Sequence, residues 1–139
     1  MNNAKNITEN WIKWVPAAGL ANKYYISEVY RNIDAGFSVK LIESGNGKKG
    51  ITLVFPESVW CYRSSGGGIT PDNVFILNSP QPKDWPLFKI ENSDYLKWIE
   101  EESEGLYEGW GLQHFCIITD DEIFDIISTY EPDIIKNEE

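Results

Sequence analysis

Histidine, cysteine and basic residues are scarce in this sequence. One histidine, His114, and two cysteines, Cys61 and Cys116, occur in 139 residues, and 22 acidic side chains outnumber 12 Lys and Arg side chains. Zinc sites need closely spaced Cys and His ligands, and no such spacing is present. A net charge of -10 repels phosphate backbones and argues against nucleic-acid binding. We therefore expect no metal, no cofactor and no nucleic-acid partner.

Long apolar runs are also missing. No stretch approaches the roughly 18 apolar residues that a membrane-spanning helix requires, and residues 1–6 (MNNAKN) lack the apolar core of a secretory leader. The two cysteines lie far apart in apolar surroundings, which favours buried reduced thiols over a disulfide. We expect a cytoplasmic protein without a membrane partner. The richness in isoleucine and asparagine is typical of an AT-rich, bacterial coding sequence.

The chain does contain enough apolar side chains for an ordinary core. Hydrophobic residues make up 42% of the sequence and aromatic residues 14%, including six Trp and seven Tyr. This composition lies outside the range of disordered chains. The length is typical of one domain, so we expect residues 1–139 to form a single α+β domain.

The first two thirds of the chain have the pattern of short strands. Alternation in Phe37, Val39 and Leu41 predicts a strand with one buried face. Clusters of Gly, Asn, Asp, Ser and Pro separate the runs, which favours an antiparallel meander. A short helix over residues 8–15 is compatible with an acceptor N-cap and a stop at Pro16. The predicted strands are residues 24–30, 37–42, 51–62, 74–77 and 87–90.

Helical periodicity follows Glu91. Asn92 or Ser93 is a suitable N-cap, Gly105 a suitable end, and the inward positions of this first C-terminal helix are Tyr95, Leu96, Ile99 and Leu106. Residues 113–119 then predict a buried strand. The sequence from Thr119 to Glu122 has the form of a capping box and predicts a last helix with Ile123, Ile126, Ile127 and Tyr130 inward.

These patterns predict an α+β fold. We expect a four- to six-stranded, mainly antiparallel meandering sheet with the two C-terminal helices packed on one side of it. The helix over residues 8–15 would precede that sheet.

Charge is distributed unevenly along the chain. Residues 1–90 carry ten basic and seven acidic side chains, whereas residues 91–139 carry two and fifteen. An advance of about 100° per residue places acidic side chains on the outer sides of both C-terminal helices, with aromatic residues nearby. Such a surface speeds encounter with a basic protein, and aromatic side chains are favoured binding anchors. We predict the partner-binding residues to be Glu100, Glu101, Glu104, Tyr107, Glu108, Trp110, Asp121 and Asp125.

The expected environments of His114 and Glu102 also bear on function. His114 lies within an apolar strand, where a hydrogen-bonded structural histidine is the simpler interpretation than a general base. Glu102 falls between the apolar positions Tyr95 and Leu106, and a rim position in contact with water would spare its carboxylate the cost of burial. Neither residue belongs to a recognised catalytic motif, so we predict no catalytic residue.

The chain resembles the small cytosolic immunity proteins of bacterial polymorphic toxin and contact-dependent inhibition systems. The resemblance rests on the size, the aromatic-rich meander, and the segments IENSDYLKWIEEESEGLYEGW and HFCIITDDEIFDIIS. It implies tight one-to-one binding of a cognate toxin domain, often a basic nuclease, with occlusion of its active site. Another acidic regulatory or interaction protein is the main alternative, and a small-ligand-binding protein or an enzyme using carboxylates near His114 is a further one.

Overall fold

The computed structural model describes residues 9–32, 34, 36–45, 47–55, 59–65, 85–120 and 122–137. These ranges contain nine strands and one helix. In chain order they are β1 (Asn10–Lys13), β2 (Tyr24–Asn32), β3 (Gly36–Glu43), β4 (Gly50–Phe55), β5 (Val59–Ser65), β6 (Leu87–Glu91), α1 (Asp94–Glu102), β7 (Gln113–Ile118), β8 (Ile123–Ser128) and β9 (Asp133–Asn137).

The strands form two sheets. One has five strands in the order β1-β6-β7-β8-β5, and the other has four in the order β2-β3-β4-β9. Every neighbouring pair is antiparallel, as the sequence predicted. The β7–β8 hairpin pairs Cys116 with Asp125 and His114 with Ile127, and β5 pairs Arg63 with Asp125 on the other side. Side chains of β5, β7 and β8 therefore meet on one face of the five-stranded sheet.

The main core lies between the two sheets. Phe37 stacks on Phe124 with ring centroids 6.3 Å apart, and Phe55 meets Phe115 edge to face at 5.7 Å. Each pair joins the four-stranded sheet to the five-stranded one. Full burial of a side chain of this kind stabilises the fold by about 1.5–3 kcal/mol. The other buried members of this core are Trp14, Tyr24, Val39, Leu41, Ile51, Leu53, Leu87, Ile117 and Ile126.

Helix α1 packs against the outer face of the five-stranded sheet. The Ser93 hydroxyl caps its first turn by accepting from the Leu96 N–H at 3.0 Å, and Ser103 ends it. Tyr95 and Ile99 are its buried residues and contact Ile127 of β8. Within the described part of the chain, no helix is both long enough and apolar enough to cross a membrane.

The predicted fold class is wrong. The described residues form two packed sheets with one short helix, and residues 123–128, predicted as a last helix, form β8. Every residue of β8 is buried, because its inner face enters the main core while its outer face lies under α1. Three isoleucines in six residues favour such a doubly buried strand. The Thr119 N–H donates to the Glu122 carbonyl, and the Glu122 N–H donates to the Thr119 hydroxyl. These two hydrogen bonds close the β7–β8 turn instead of capping a helix.

Two local predictions also need correction. The segment predicted as an N-terminal helix contains strand β1, which pairs with β6, while residues 1–8 lie outside the described residues. Leu106, predicted inward, is 62% exposed, because the helix ends at Glu102 and Glu104 and Gly105 take positive φ. The predicted strand over residues 74–77 also lies outside the described residues.

Gly50 permits close approach of β3 and β4, so its replacement tests the four-stranded sheet. A Cβ atom there would lie 1.9 Å from the Leu41 carbonyl oxygen and 3.0 Å from the Ile42 Cα. Because backbone cannot yield as a side-chain tip can, we expect Gly50→Ala to lower the free energy of unfolding by about 2 kcal/mol or more. Gly47→Ala, which meets nothing within 4 Å, should change it by less than about 0.5 kcal/mol. Equal denaturation midpoints for both variants would contradict the expectation.

Candidate functional site

Four glutamates form an acidic surface on α1 and the turn that follows it. We define the acidic surface as Glu100, Glu101, Glu104 and Glu108, all of which are exposed, as the sequence predicted. Backbone hydrogen bonds from Glu104 N–H to Glu101 O and from Glu108 N–H to Gly105 O order the turns that follow the helix. The acidic side chains therefore project from a backbone that hydrogen bonds hold in place.

Three aromatic rings form a cluster beside this turn, in which two rings are exposed and one is half-buried. We define the aromatic cluster as Trp60, Tyr107 and Trp110. Tyr107 and Trp110 lie with ring centroids 5.0 Å apart, and Trp60 lies 5.0 Å from Trp110 and 5.7 Å from Tyr107. Trp60 is 41% exposed and Trp110 43%. The predicted anchors Tyr107 and Trp110 thus come together, and a third ring joins them from β5.

Trp60 reaches this position through an irregularity in β5. The pairing of β5 with β8 shifts register between Val59 and Cys61, so that Trp60 is the extra residue of a bulge. Its indole N–H donates to the Thr129 hydroxyl at 2.9 Å. The bond fixes the ring and uses its hydrogen-bond donor within the protein, which leaves the ring surface for outside contacts.

A buried polar cluster lies where α1 meets the five-stranded sheet. The Ser93 hydroxyl lies 2.7 Å from His114 Nδ1, and His114 Nε2 lies 2.7 Å from Asp125 Oδ1. Ser93 already accepts from Leu96, so the assignment that satisfies every group has its hydroxyl donating to Nδ1 and Nε2–H donating to the carboxylate. The predicted structural role for His114 agrees with this geometry. These bonds connect the helix N-cap to β7 and β8.

Arg63 completes the pairing of the buried carboxylate. Its Nε donates to Asp125 Oδ2 at 2.9 Å, while its guanidinium carbon lies 3.9 Å from the centre of the Tyr95 ring. Tyr95 in turn shares a hydrogen bond of 2.8 Å between its hydroxyl and the Cys61 thiol. One arginine therefore bridges the central carboxylate and the buried tyrosine of α1.

The protonation states follow from burial and pairing. Burial alone would raise the pKa of Asp125, but the hydrogen bond and electrostatic interaction with His114, together with Arg63, outweigh it and lower that pKa. Burial raises the pKa of Cys116, and the neighbouring Asp125 raises it further. Burial, followed by the bond to Cys61, also raises the pKa of Tyr95. At neutral pH the carboxylate is ionised while the Cys116 thiol and the Tyr95 phenol keep their protons.

The order Ser93, His114 and Asp125 matches the connectivity of a nucleophilic triad, but its setting differs. The serine and histidine are only 3% and 2% exposed, and both ring nitrogens are engaged within the protein. The serine oxygen also accepts the N-cap bond. Because a triad serine must meet its substrate, this arrangement holds α1 in place and does not present a nucleophile.

The structure corrects one predicted site residue and supplies two that sequence reasoning missed. Asp125, predicted on the outer side of a helix, is fully buried in β8, and Asp121 lies outside the described residues. Trp60 and Arg63 were not predicted. The signal for Arg63 was a lone Asp within the apolar run of residues 123–128, since such a charge requires a partner. Trp60 carried no comparable signal.

Comparison with known proteins finds no matching family model, curated protein or solved structure. Among the described residues, no group of three or more His, Cys, Asp or Glu side chains could hold a metal ion.

Replacement of Asp125 tests the buried polar cluster. Because the folded-state pKa is lowered, its contribution to stability is complete above the unfolded-state value of about 3.9 and is lost as pH falls through the folded-state value. We expect Asp125→Asn to cost about 3 kcal/mol at pH 7 and to flatten the fall in stability below about pH 4. Urea denaturation from pH 2 to 7 measures both effects.

Asp133→Asn, at an exposed position of β9, is the matched control for that variant. It should change the stability at pH 7 by less than about 0.5 kcal/mol. If the stability of Asp125→Asn fell below pH 4 as steeply as that of the unsubstituted protein, the role assigned to the carboxylate would be wrong.

Proposed function

We propose that this chain is a protein-binding module that holds a basic partner protein on its acidic surface and aromatic cluster. The observation that carries the proposal is the contact of the exposed Trp60 and Trp110 with the half-buried Tyr107 beside the acidic turn. Aromatic anchors next to charged side chains are the usual composition of a binding hot spot and its rim. An exposed ring cluster also gains free energy when a partner covers it.

Electrostatics supports a basic partner. No Lys or Arg occurs between residues 98 and 135, so the acidic surface lies in a stretch of chain without a positive residue. Lys97 is the only positive residue within α1, and it pairs with Asp94 at 3.9 Å. The resulting negative field raises the rate of encounter with a positively charged surface and falls with ionic strength.

The scaffold under the acidic surface supports tight binding. Ser93, Tyr95 and Ile99 fix α1 on the sheet through the buried polar cluster and apolar contacts. A surface that is already ordered loses little conformational entropy when a partner binds. The same rigid presentation suits an inhibitor that must occlude an active site.

Within this class, the proposed role is that of an immunity protein that neutralises a cognate, basic toxin domain in the bacterial cytoplasm. The resemblance of the chain to such proteins and its acidic surface support the role. Another acidic regulatory protein would use the same surface. Co-expression with the product of the neighbouring gene, followed by co-purification, distinguishes the two, because immunity genes normally lie beside their toxin genes.

Charge reversal on the acidic surface tests the binding mode once the partner is in hand. We expect Glu101→Lys with Glu104→Lys to slow association at least tenfold at low salt and to flatten its dependence on ionic strength, because steering acts on the association rate. Trp110→Ala should instead speed dissociation by an amount worth ~2 kcal/mol. Surface plasmon resonance at several salt concentrations separates the two rates.

The matched control reverses the same number of acidic charges, but on the four-stranded sheet. Glu28 on β2 and Asp133 on β9 are exposed acidic side chains of the four-stranded sheet. Their double replacement by Lys should alter association much less than the change at Glu101 and Glu104. Equal effects of the two charge reversals would mean that overall charge, and not the acidic surface, governs binding.

A further inference from the structure

The aromatic cluster favours a narrower class of ligand than a general apolar patch does. Its one strand-borne ring, Trp60, has its indole N–H occupied by Thr129. The three rings contact one another at steep or tilted angles, from 41° to 83° between planes. Trp60 and Trp110 remain 41% and 43% exposed in this packing. An exposed aromatic ring offers a ligand its π-electron density as well as apolar area.

Glutamates are neighbours of the rings along the chain. Glu108 lies between two of the rings in the chain, and hydrogen bonds from Glu108 N to Gly105 O and from Trp110 N to Tyr107 O keep it within the same set of turns. Glu104 is at the start of these turns, in the left-handed conformation. The ring quadrupole and the carboxylates both attract positive charge. A neutral apolar side chain would gain neither of these two attractions.

Among the described residues, Arg63 makes this combination with a guanidinium. The Arg63 guanidinium lies over the Tyr95 ring at 3.9 Å and bonds to the Asp125 carboxylate on the same face of the sheet. A planar cation is thus held by an aromatic face and a carboxylate together. The aromatic cluster and Glu108 carry the same two partner types at the protein surface.

We propose that the aromatic cluster takes an arginine side chain of the partner protein, with the guanidinium against the rings and its N–H groups directed to Glu104 or Glu108. The inference rests on the proposed function, since it names the group that the partner brings to that site. Arginine fits better than lysine because its flat, weakly hydrated cation stacks on rings and forms two parallel bonds to one carboxylate. Lysine would share the charge attraction without the stacking.

Two model peptides of equal charge test the inference without the natural partner. One is an acetylated and amidated peptide of four Gly-Arg repeats, and the other has four Gly-Lys repeats. Titration calorimetry at low salt should give an affinity about three- to tenfold higher for the arginine peptide. Trp110→Ala should bring the ratio of the two affinities close to one. Trp60→Leu, which alters the cluster from β5, should do the same.

The controls separate ring contact from charge and from folding. Trp98→Ala removes a tryptophan that is 52% exposed on α1 but lies outside the cluster, and it should keep the ratio. Glu104→Gln with Glu108→Gln should weaken the arginine peptide more than the lysine peptide, because only a guanidinium makes the paired bonds. Thermal melts check that each variant is folded, and the two cluster variants serve as replicates of one another.

The outcomes distinguish failure of the inference from failure of the proposed function. Equal affinities of the two peptides for the natural protein, or an unchanged ratio in both cluster variants, would overturn the arginine site. If Glu101→Lys with Glu104→Lys nevertheless abolished peptide binding, the proposed function of the acidic surface as a binding surface would remain supported. If neither peptide bound at low salt, the arginine site would likewise be wrong.

Discussion

The buried carboxylate of Asp125 is the constraint on which the candidate site depends. An isolated charge at this depth would cost several kcal/mol, and His114 and Arg63 offset that cost with one hydrogen bond each. The two partners come from β7 and β5, on either side of β8. Ser93 extends the chain of bonds to the N-cap of α1. One charge thereby links three strands and the N-cap of a helix through side-chain hydrogen bonds.

The position of that helix determines what the surface presents. Because Tyr95 and Ile99 face the sheet, the opposite side of α1 exposes acidic side chains, and the turn after Glu102 carries Tyr107 and Trp110 toward Trp60. A bulge in the edge strand β5 supplies the third ring. The buried polar cluster thus positions the helix that carries the acidic surface and the turns that carry two rings of the aromatic cluster. A rigid acidic and aromatic surface suits recognition of a basic protein.

Local signals predicted the elements whose formation depends on neighbours in sequence. The alternation in β3, the Ser93 cap of α1 and the exposure of Glu100, Glu101 and Glu104 all follow from side-chain period and capping chemistry. The prediction of a last helix was wrong because the Thr119 hydroxyl accepts from the Glu122 N–H in this hairpin turn as it would in a capping box. Apolar spacing in residues 123–128 then fitted a helix as well as a doubly buried strand.

The sequence by itself determined the charge asymmetry, the antiparallel strand character, the cap of α1 and the acidic surface, since each depends on residues within about one helical turn or one strand. Only the tertiary structure decided that the strands divide into two packed sheets. It alone joined Trp60 to Tyr107 and Trp110, and Arg63 to Asp125. These contacts bring together residues 47 to 62 positions apart. Strand register selects the pair of Arg63 and Asp125, and the docking of α1 selects the ring contacts. In the sequence, the charge of Asp125 within an apolar run indicates only that an oppositely charged or hydrogen-bonding partner is needed. The packing of the strands determines which residue that partner is.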